Sequence, residues 1–410
     1  MLFLTANATP GAAVIRCGGK TAAAVSFNGD TFELRLFCDF SPVPLLLAAN
    51  AKRGDSISAA IYPYRAELYK NGALADEEWP AGRLYLTQNA ECDGDIECSV
   101  AEMPDGKPDT AVLHGATLDE CLPSGVNAGD CMPFADDGVF HLFFLYDRRH
   151  HGSKWGLGAH QWAHISTGDF EHWTKYPLAV PITDPCEGSI CTGSVIRCGG
   201  RLLAFYSVRM SDRSAARLSW AFSEDGITFE KSGRYFRLPE RYDAVSARDP
   251  FVFYSGGRYH IFITTSLAEN GRGCLAHFSA DILPTSASGM RDEGPVLVSA
   301  DSRQPECADR FEMGGKYYLV YSYGGKATYA FSESPLFADG TLHLPPEGTR
   351  IPCGNVPKSA LFRGKRIFAG FECAPGGWGG RPVFVQAMQN ADGTLRFTPL
   401  ENIKDTGEHQ

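Results

Sequence analysis

Apolar and polar residues alternate with the two-residue period of half-buried strands in the first part of the chain, as in Thr31–Phe37 and in Ser56–Gly72, where Asn71-Gly72 predicts a tight hairpin. From about residue 120 the pattern changes to short aromatic-rich apolar runs, and these recur. Five of them open on a turn glycine: Gly138–Tyr146, Gly200–Val208, Gly257–Thr265, Gly315–Tyr323 and Gly364–Glu372. The glycines lie 62, 57, 58 and 49 residues apart, a superperiod foreign to a long sandwich, whose strands follow one another roughly every 8–12 residues. The runs are followed by second strands that end in a polar turn and an aromatic: His164–Trp173, Trp220–Phe229, Ala276–Leu283, Tyr329–Phe337 and, less clearly, Val385–Phe397.

Strand, glycine turn, strand, strand, polar turn, strand is the layout of a propeller blade, which cannot bury its faces alone. The pattern therefore predicts an all-β chain, with a five-bladed β-propeller over residues 111–410 preceded by a β-sandwich over residues 1–110. Ala101–Asp109, which holds Pro104, Asp105-Gly106 and Pro108, reads as the linker. The leading unit reads as a packing buttress, with a carbohydrate-binding module or a homodimer-forming module as alternatives.

Composition narrows the class of partner. The 410 residues are 44% hydrophobic and 21% charged, which excludes a disordered or fibrous chain, and 44 Gly and 25 Pro suit a turn-rich β-protein. A net charge of −10 repels both a phosphate backbone and an anionic membrane, so nucleic acid and membrane are excluded as first expectations. The amino terminus lacks a basic leader and no stretch approaches the ~18 apolar residues of a membrane span, so a cytoplasmic protein is expected. Thirteen cysteines is an odd number without a CxxC pair, and reduced thiols are expected. His150-His151 has no second ligand cluster at zinc spacing, and no metal and no cofactor are expected.

The strand before each turn glycine should line the central channel of a propeller. Counting back from the glycines, Asp130 and Asp249 lie 8 residues before theirs and Glu306 lies 9 before Gly315. Thr192 and Val356 stand at the corresponding positions of the other two repeats. Carboxylates converging from three blades raise one another's pKa, as glycosidic cleavage requires: one carboxyl stays protonated for the leaving oxygen while an ionised one attacks or activates water. The same acids would otherwise hold a channel cation or cap turns.

The local sequences resemble a known family. Ser246-Ala-Arg248-Asp249-Pro250 and Glu306-Cys307 are similar to the Arg-Asp-Pro and Glu-Cys motifs of glycoside hydrolase family 32, the β-fructosidase and invertase family, whose five-bladed clan includes families 43 and 68. The run from Asp130 to Arg149, followed by Trp155-Gly156, Gln161-Trp162-Ala163-His164, Ser166, Asp169 and Trp173, resembles its nucleophile strand and the signature after it; Thr192-Gly193-Ser194 resembles its Ser-Gly-Ser. The resemblance implies a retaining enzyme for β-fructofuranosides or related small furanosides. It implies Asp130 as nucleophile, Glu306 as acid/base and Asp249 as transition-state stabiliser, with Arg248, Trp155, Thr192 and Gly193 binding a small carbohydrate. The chain also departs from the family: Gly129, Cys131, Met132 and Pro133 replace the flanks of Asn-Asp-Pro-Asn-Gly, Leu145 stands for a strand glutamine, and the sandwich-like segment precedes the repeats. Other activities stay open: transfer to an acceptor other than water, a family 43 arabinofuranosidase or xylosidase, a family 130 phosphorylase, or a non-catalytic sugar-binding propeller.

Among the remaining residues, Trp162 and His164 read as core and structural groups, Cys307 as a small buried hydrophobe and Asp136-Asp137 as a turn. Trp378, in Gly376-Gly377-Trp378-Gly379-Gly380, reads as a substrate lid if exposed or a blade cap if buried.

Overall fold

A computed structural model describes residues 1–39, 44–62, 65–78, 83–103, 112–122, 126–147, 160–283, 289–337, 342–373 and 378–400. Strands make up nearly all of its regular structure, with one short helix, Leu118–Cys121, closed at its amino end by a Thr117–Glu120 capping box.

The first hundred residues form two five-stranded antiparallel sheets. One runs in the order Cys98–Glu102, Leu2–Asn7, Ser56–Tyr62, Arg65–Lys70, Ala73–Glu78; the other in the order Leu45–Asn50, Thr31–Leu36, Lys20–Phe27, Gly11–Cys17, Ala90–Gly94. Alternation puts Leu4, Ile57 and Leu68 of the first and Val25, Leu34 and Leu47 of the second into one shared core. The run Ser56–Gly72 holds two strands, and the expected hairpin turn follows them: Asn71 and Gly72 both have positive φ, 51° and 81°. Part of the expected linker is strand, because Ala101 and Glu102 pair with Phe3 and Leu2; residues 104–109 lie outside the described residues.

Cys92 and Cys98 form a disulfide, which corrects the expectation of uniformly reduced thiols. They lie on or beside edge strands of different sheets, where the chain crosses from one sheet to the other and brings the two side chains together. The other cysteines are free.

Each of the five repeats forms an antiparallel sheet, the first and fifth joined edge to edge into one nine-stranded sheet. Their inner strands are Asn127–Asp136, Glu187–Cys198, Arg248–Ser255, Glu306–Met313 and Lys358–Phe362. Each returns through a two-residue turn whose residues both have positive φ: Asp137-Gly138, Gly199-Gly200, Gly256-Gly257, Gly314-Gly315 and Arg363-Gly364. That geometry matches strand twist and admits glycine without a Cβ penalty, which explains the periodic glycines and bears out the turn reading for Asp137, whereas Asp136 is the last residue of its strand. Each inner strand packs on the next, and the fifth packs on the first.

Five hydrophobic clusters fill the spaces between neighbouring sheets. Phe205 and Trp220 meet Ile261 and Ile263 between the second and third, and Phe140 and Trp173 meet Phe362 and Ile367 between the first and fifth. A single backbone pairing, Ala128 with Gly380, also joins the first sheet to the fifth. Trp162 and His164 are buried, as expected; His164 lies 3.0 Å from His141, and burial pulls both imidazoles below their ordinary range. No helix among the described residues is long and apolar enough to cross a membrane.

Candidate active site

The first four inner strands share one irregularity at one level. Asp130-Cys131, Cys191-Thr192, Asp249-Pro250 and Cys307-Ala308 each place two residues opposite a single partner residue, namely Phe144, Ser207, Ile263 and Tyr321. Such a bulge breaks the in-out alternation and re-aims a side chain. Asp249 and Cys307 take left-handed φ values of 55° and 53°, unusual outside glycine. The bulges also correct the glycine count. Cys307, not Glu306, matches Asp249 and Asp130, whereas Glu306 is the last paired residue before its bulge, the position of Arg248 on the third strand and Gly129 on the first. In the second sheet the match is Cys191, with Thr192 one residue later, because that strand holds one more residue before its turn.

The three acids meet around Cys307. Its thiol donates to Asp130 Oδ2 at 3.4 Å and its backbone N–H donates to Asp249 Oδ2 at 3.3 Å, while the preceding residue is Glu306. The Thr192 hydroxyl donates to the same Asp130 oxygen at 2.5 Å. Arg248 binds Glu306 Oε1 through Nη2 at 2.6 Å and has its Nε 3.6 Å from Asp249 Oδ2. Gln304 fixes Arg248 in turn, accepting from Nη1 at 2.5 Å while its amide donates to Ser246 and Ser266. A bidentate-capable cation is thus held between two carboxylates.

Electrostatics separates these groups. Burial raises the Asp130 carboxyl pKa, opposed by the Thr192 and Cys307 hydrogen bonds. Asp249, only 3% exposed, is pushed up to about 6 by burial against the pull of Arg248. Glu306 keeps 38% of its side chain exposed, so it faces the solvent side of the trio. Burial and the Asp130 charge raise the Cys307 thiol far above its usual range, so it stays a neutral donor. Reading Cys307 as a mere hydrophobe is therefore incomplete.

Gly193, on the second inner strand, has no room for a side chain: an added Cβ would stand 1.7 Å from Phe205 O. Its carbonyl accepts from Lys358 Nζ at 2.8 Å, a buried lysine that reaches across from the fifth inner strand. Sequence reasoning missed Lys358, and it missed Asp309, whose Oδ2 accepts from Ser359 N at 2.8 Å and Ser359 Oγ at 2.6 Å. It also missed Gln304. The signal available for all three was their position within three residues of an inner-strand motif. Trp155 and His150-His151 lie outside the described residues. No group of three or more His, Cys, Asp or Glu among the described residues is placed to hold a metal.

The sucrose-6-phosphate hydrolase of Bacillus subtilis (strain 168) is 29% identical over 213 residues, which are 50% of this chain and 42% of that protein, so the chain matches less than half the length of this relative. The fold is similar to fructan 1-exohydrolase IIa from Cichorium intybus, with a TM-score of 0.55 and 16% identity over 71% of this chain and 61% of that one. It is also similar to a GH43 β-xylosidase/α-arabinofuranosidase from a compost metagenome, with a TM-score of 0.52 and 16% identity over 70% of this chain and 98% of that one. The model of the glycosyl hydrolases family 32 N-terminal domain matches residues 131–342, starting one residue after Asp130 and spanning Arg248, Asp249 and Glu306. With half of its length matched in this way, the chain belongs to glycosyl hydrolases family 32.

Proposed function

We propose that the protein is a retaining glycosidase acting on a small β-fructofuranoside, with Asp130 as nucleophile, Glu306 as acid/base and Asp249 gripping ring hydroxyls. The observation that carries this reading is the convergence on Cys307, which hydrogen-bonds Asp130 and Asp249 and adjoins Glu306. In the first step Asp130 attacks the anomeric carbon as Glu306 donates its proton to the departing glycosidic oxygen. In the second, Glu306 takes a proton from water, which displaces the Asp130 ester. Thr192 and Cys307 donate to Asp130 and favour the charged form the attack needs. Arg248, anchored by Gln304, orients Glu306. A retaining mechanism calls for carboxyls of Asp130 and Glu306 about 5–5.5 Å apart.

The ring of inner strands and the five inter-sheet cores support a closed five-bladed propeller as the catalytic unit over residues 111–410. The two facing sheets support a leading β-sandwich over residues 1–110. Its role as a buttress is supported by Tyr146, on the second strand of the first sheet, which donates to buried Glu77 of the leading unit at 2.8 Å.

The test is hydrolysis of sucrose, sucrose 6-phosphate, short inulin- and levan-type oligosaccharides and aryl furanosides, with and without phosphate. A fructoside cleaved in plain buffer supports the reading. Turnover that needs phosphate identifies a phosphorylase, exclusive cleavage of arabinoside or xyloside identifies a family 43 activity, and binding without cleavage overturns the enzyme assignment.

A further inference from the structure

The residue before the first bulge is Gly129, where the family motif carries an asparagine, and the space beside it is filled from elsewhere. A Cβ on Gly129 would stand 1.9 Å from Trp378 Cη2 and 2.5 Å from two further atoms of that ring. Trp378 reaches this place because the next residues, Gly379 and Gly380, lie against the first inner strand: a Cβ on Gly379 would meet Asn127 at 3.0 Å, and Gly380 pairs with Ala128. The indole stacks on His160, ring centres 4.9 Å apart, and meets Phe371 edge-on at 5.4 Å. It also packs against the cluster of Cys307, Val356 and Phe371, and the Cys307 thiol touches Asp130. Trp378 itself is only half-buried. It is therefore neither a lid standing off the site nor a fully buried cap.

We propose that Trp378 is a specificity-determining residue, forming an apolar wall of the Asp130 subsite in the volume that a side chain at position 129 would occupy. The inference rests on the furanosidase reading. A sugar ring bound there meets an aromatic surface, which takes up C–H faces, where a side-chain amide would have gripped a hydroxyl. An apolar wall discriminates weakly between ligands that differ by one small group, roughly 10–200-fold, whereas a site built to hydrogen-bond a hydroxyl rejects its absence by about 10⁴–10⁵. The chain should thus accept furanosides with and without the hydroxymethyl group on the anomeric carbon more evenly than an amide-lined site does.

The test compares kcat/KM for an aryl β-D-fructofuranoside and the aryl β-D-arabinofuranoside, which lacks only the hydroxymethyl group on the anomeric carbon, in the wild type, W378F, W378A, G129N and the double variant G129N/W378G. The expected result is a wild-type ratio within about 200-fold that W378F keeps and W378A moves by about tenfold or more. G129N alone should lose activity through overlap with the indole, and the double variant should regain it with a steeper preference for fructoside. Fructose should change the tryptophan emission of the wild type and leave much less change in W378F, a readout that does not depend on turnover or on W378A folding. An unchanged ratio in a folded W378A, full activity of G129N alone, or an emission change that W378F retains overturns the inference while the furanosidase reading stands. A wild type that cleaves no furanoside removes the reading, and the inference with it.

Discussion

Two groups of buried charge lie along the inner strands, and they are treated differently. Asp309 receives two donors from Ser359 of the neighbouring fifth strand on one oxygen, and Lys358 reaches from that strand to the Gly193 carbonyl of the second; together they link the fourth, fifth and second inner strands. Three residues earlier on the fourth strand, the acid trio is left less settled. Asp130 Oδ1 is buried without a hydrogen-bond partner among the described residues, Asp249 is pushed up to about 6, and Glu306 opens to solvent. Buried polar groups in a folded chain are ordinarily satisfied. The Asp309–Lys358 group fastens the sheets together, while the acid trio leaves bonding capacity unspent, as the proposed sugar site requires.

Substitutions should separate the two groups. The largest effect is expected from Asp130→Asn and Glu306→Gln, which should each lower kcat/KM by about 10²–10⁴-fold while the melting temperature stays level or rises. Assays paired with thermal melts check this, and a matching loss of stability would place both acids with the structural group. Next, Asp309→Ala should leave the Ser359 N–H and hydroxyl without their acceptor and cost about 1–3 kcal/mol in a denaturant titration, with kcat little changed.

The pH dependence of stability sharpens the contrast. Burial raises the folded-state pKa of Asp249 from 3.8 to about 6, so its protonated form is favoured in the fold, and the stability this contributes disappears as pH rises from about 4 through 6. Asp249→Asn should therefore gain on the order of 1–2 kcal/mol over wild type at pH 7 and nothing at pH 4. The buried histidines act in the opposite direction. His277, 2.9 Å from His260, is pulled down to about 4 by burial, so stability falls as pH drops from 6.5 towards 4. His277→Gln should flatten that acid limb by on the order of 1 kcal/mol, the smallest of these effects, in melts taken across the same range.

Much of this arrangement is legible in the sequence. The glycines that end the inner strands follow from a turn with two positive φ values, and the aromatic runs follow from cores shared by adjacent sheets. Counting from those glycines finds Asp130 and Asp249 because their strands are equally long beyond the bulge. It misassigns Thr192 because one extra residue beyond the bulge shifts that strand's register, which leaves no mark in hydrophobic periodicity, and Glu306 stands nine residues before its glycine, one residue outside the position that Cys307 holds. Lys358 escapes, and Trp378 stays open between lid and cap, for another reason: their places depend on which inner strand faces them in the fold. The Cys92–Cys98 pairing likewise depends on two edges meeting in space.

The central claim is tested most directly by weighing the protein. Without the acid/base, an aryl fructofuranoside with a good leaving group can still form the ester, but water is no longer activated to remove it. Glu306→Ala incubated with such a substrate should gain one fructosyl residue, located by peptide mass spectrometry on the fragment carrying Asp130. An active wild type that releases product of inverted configuration, with no adduct on the variant or an adduct on another acid, would contradict the account.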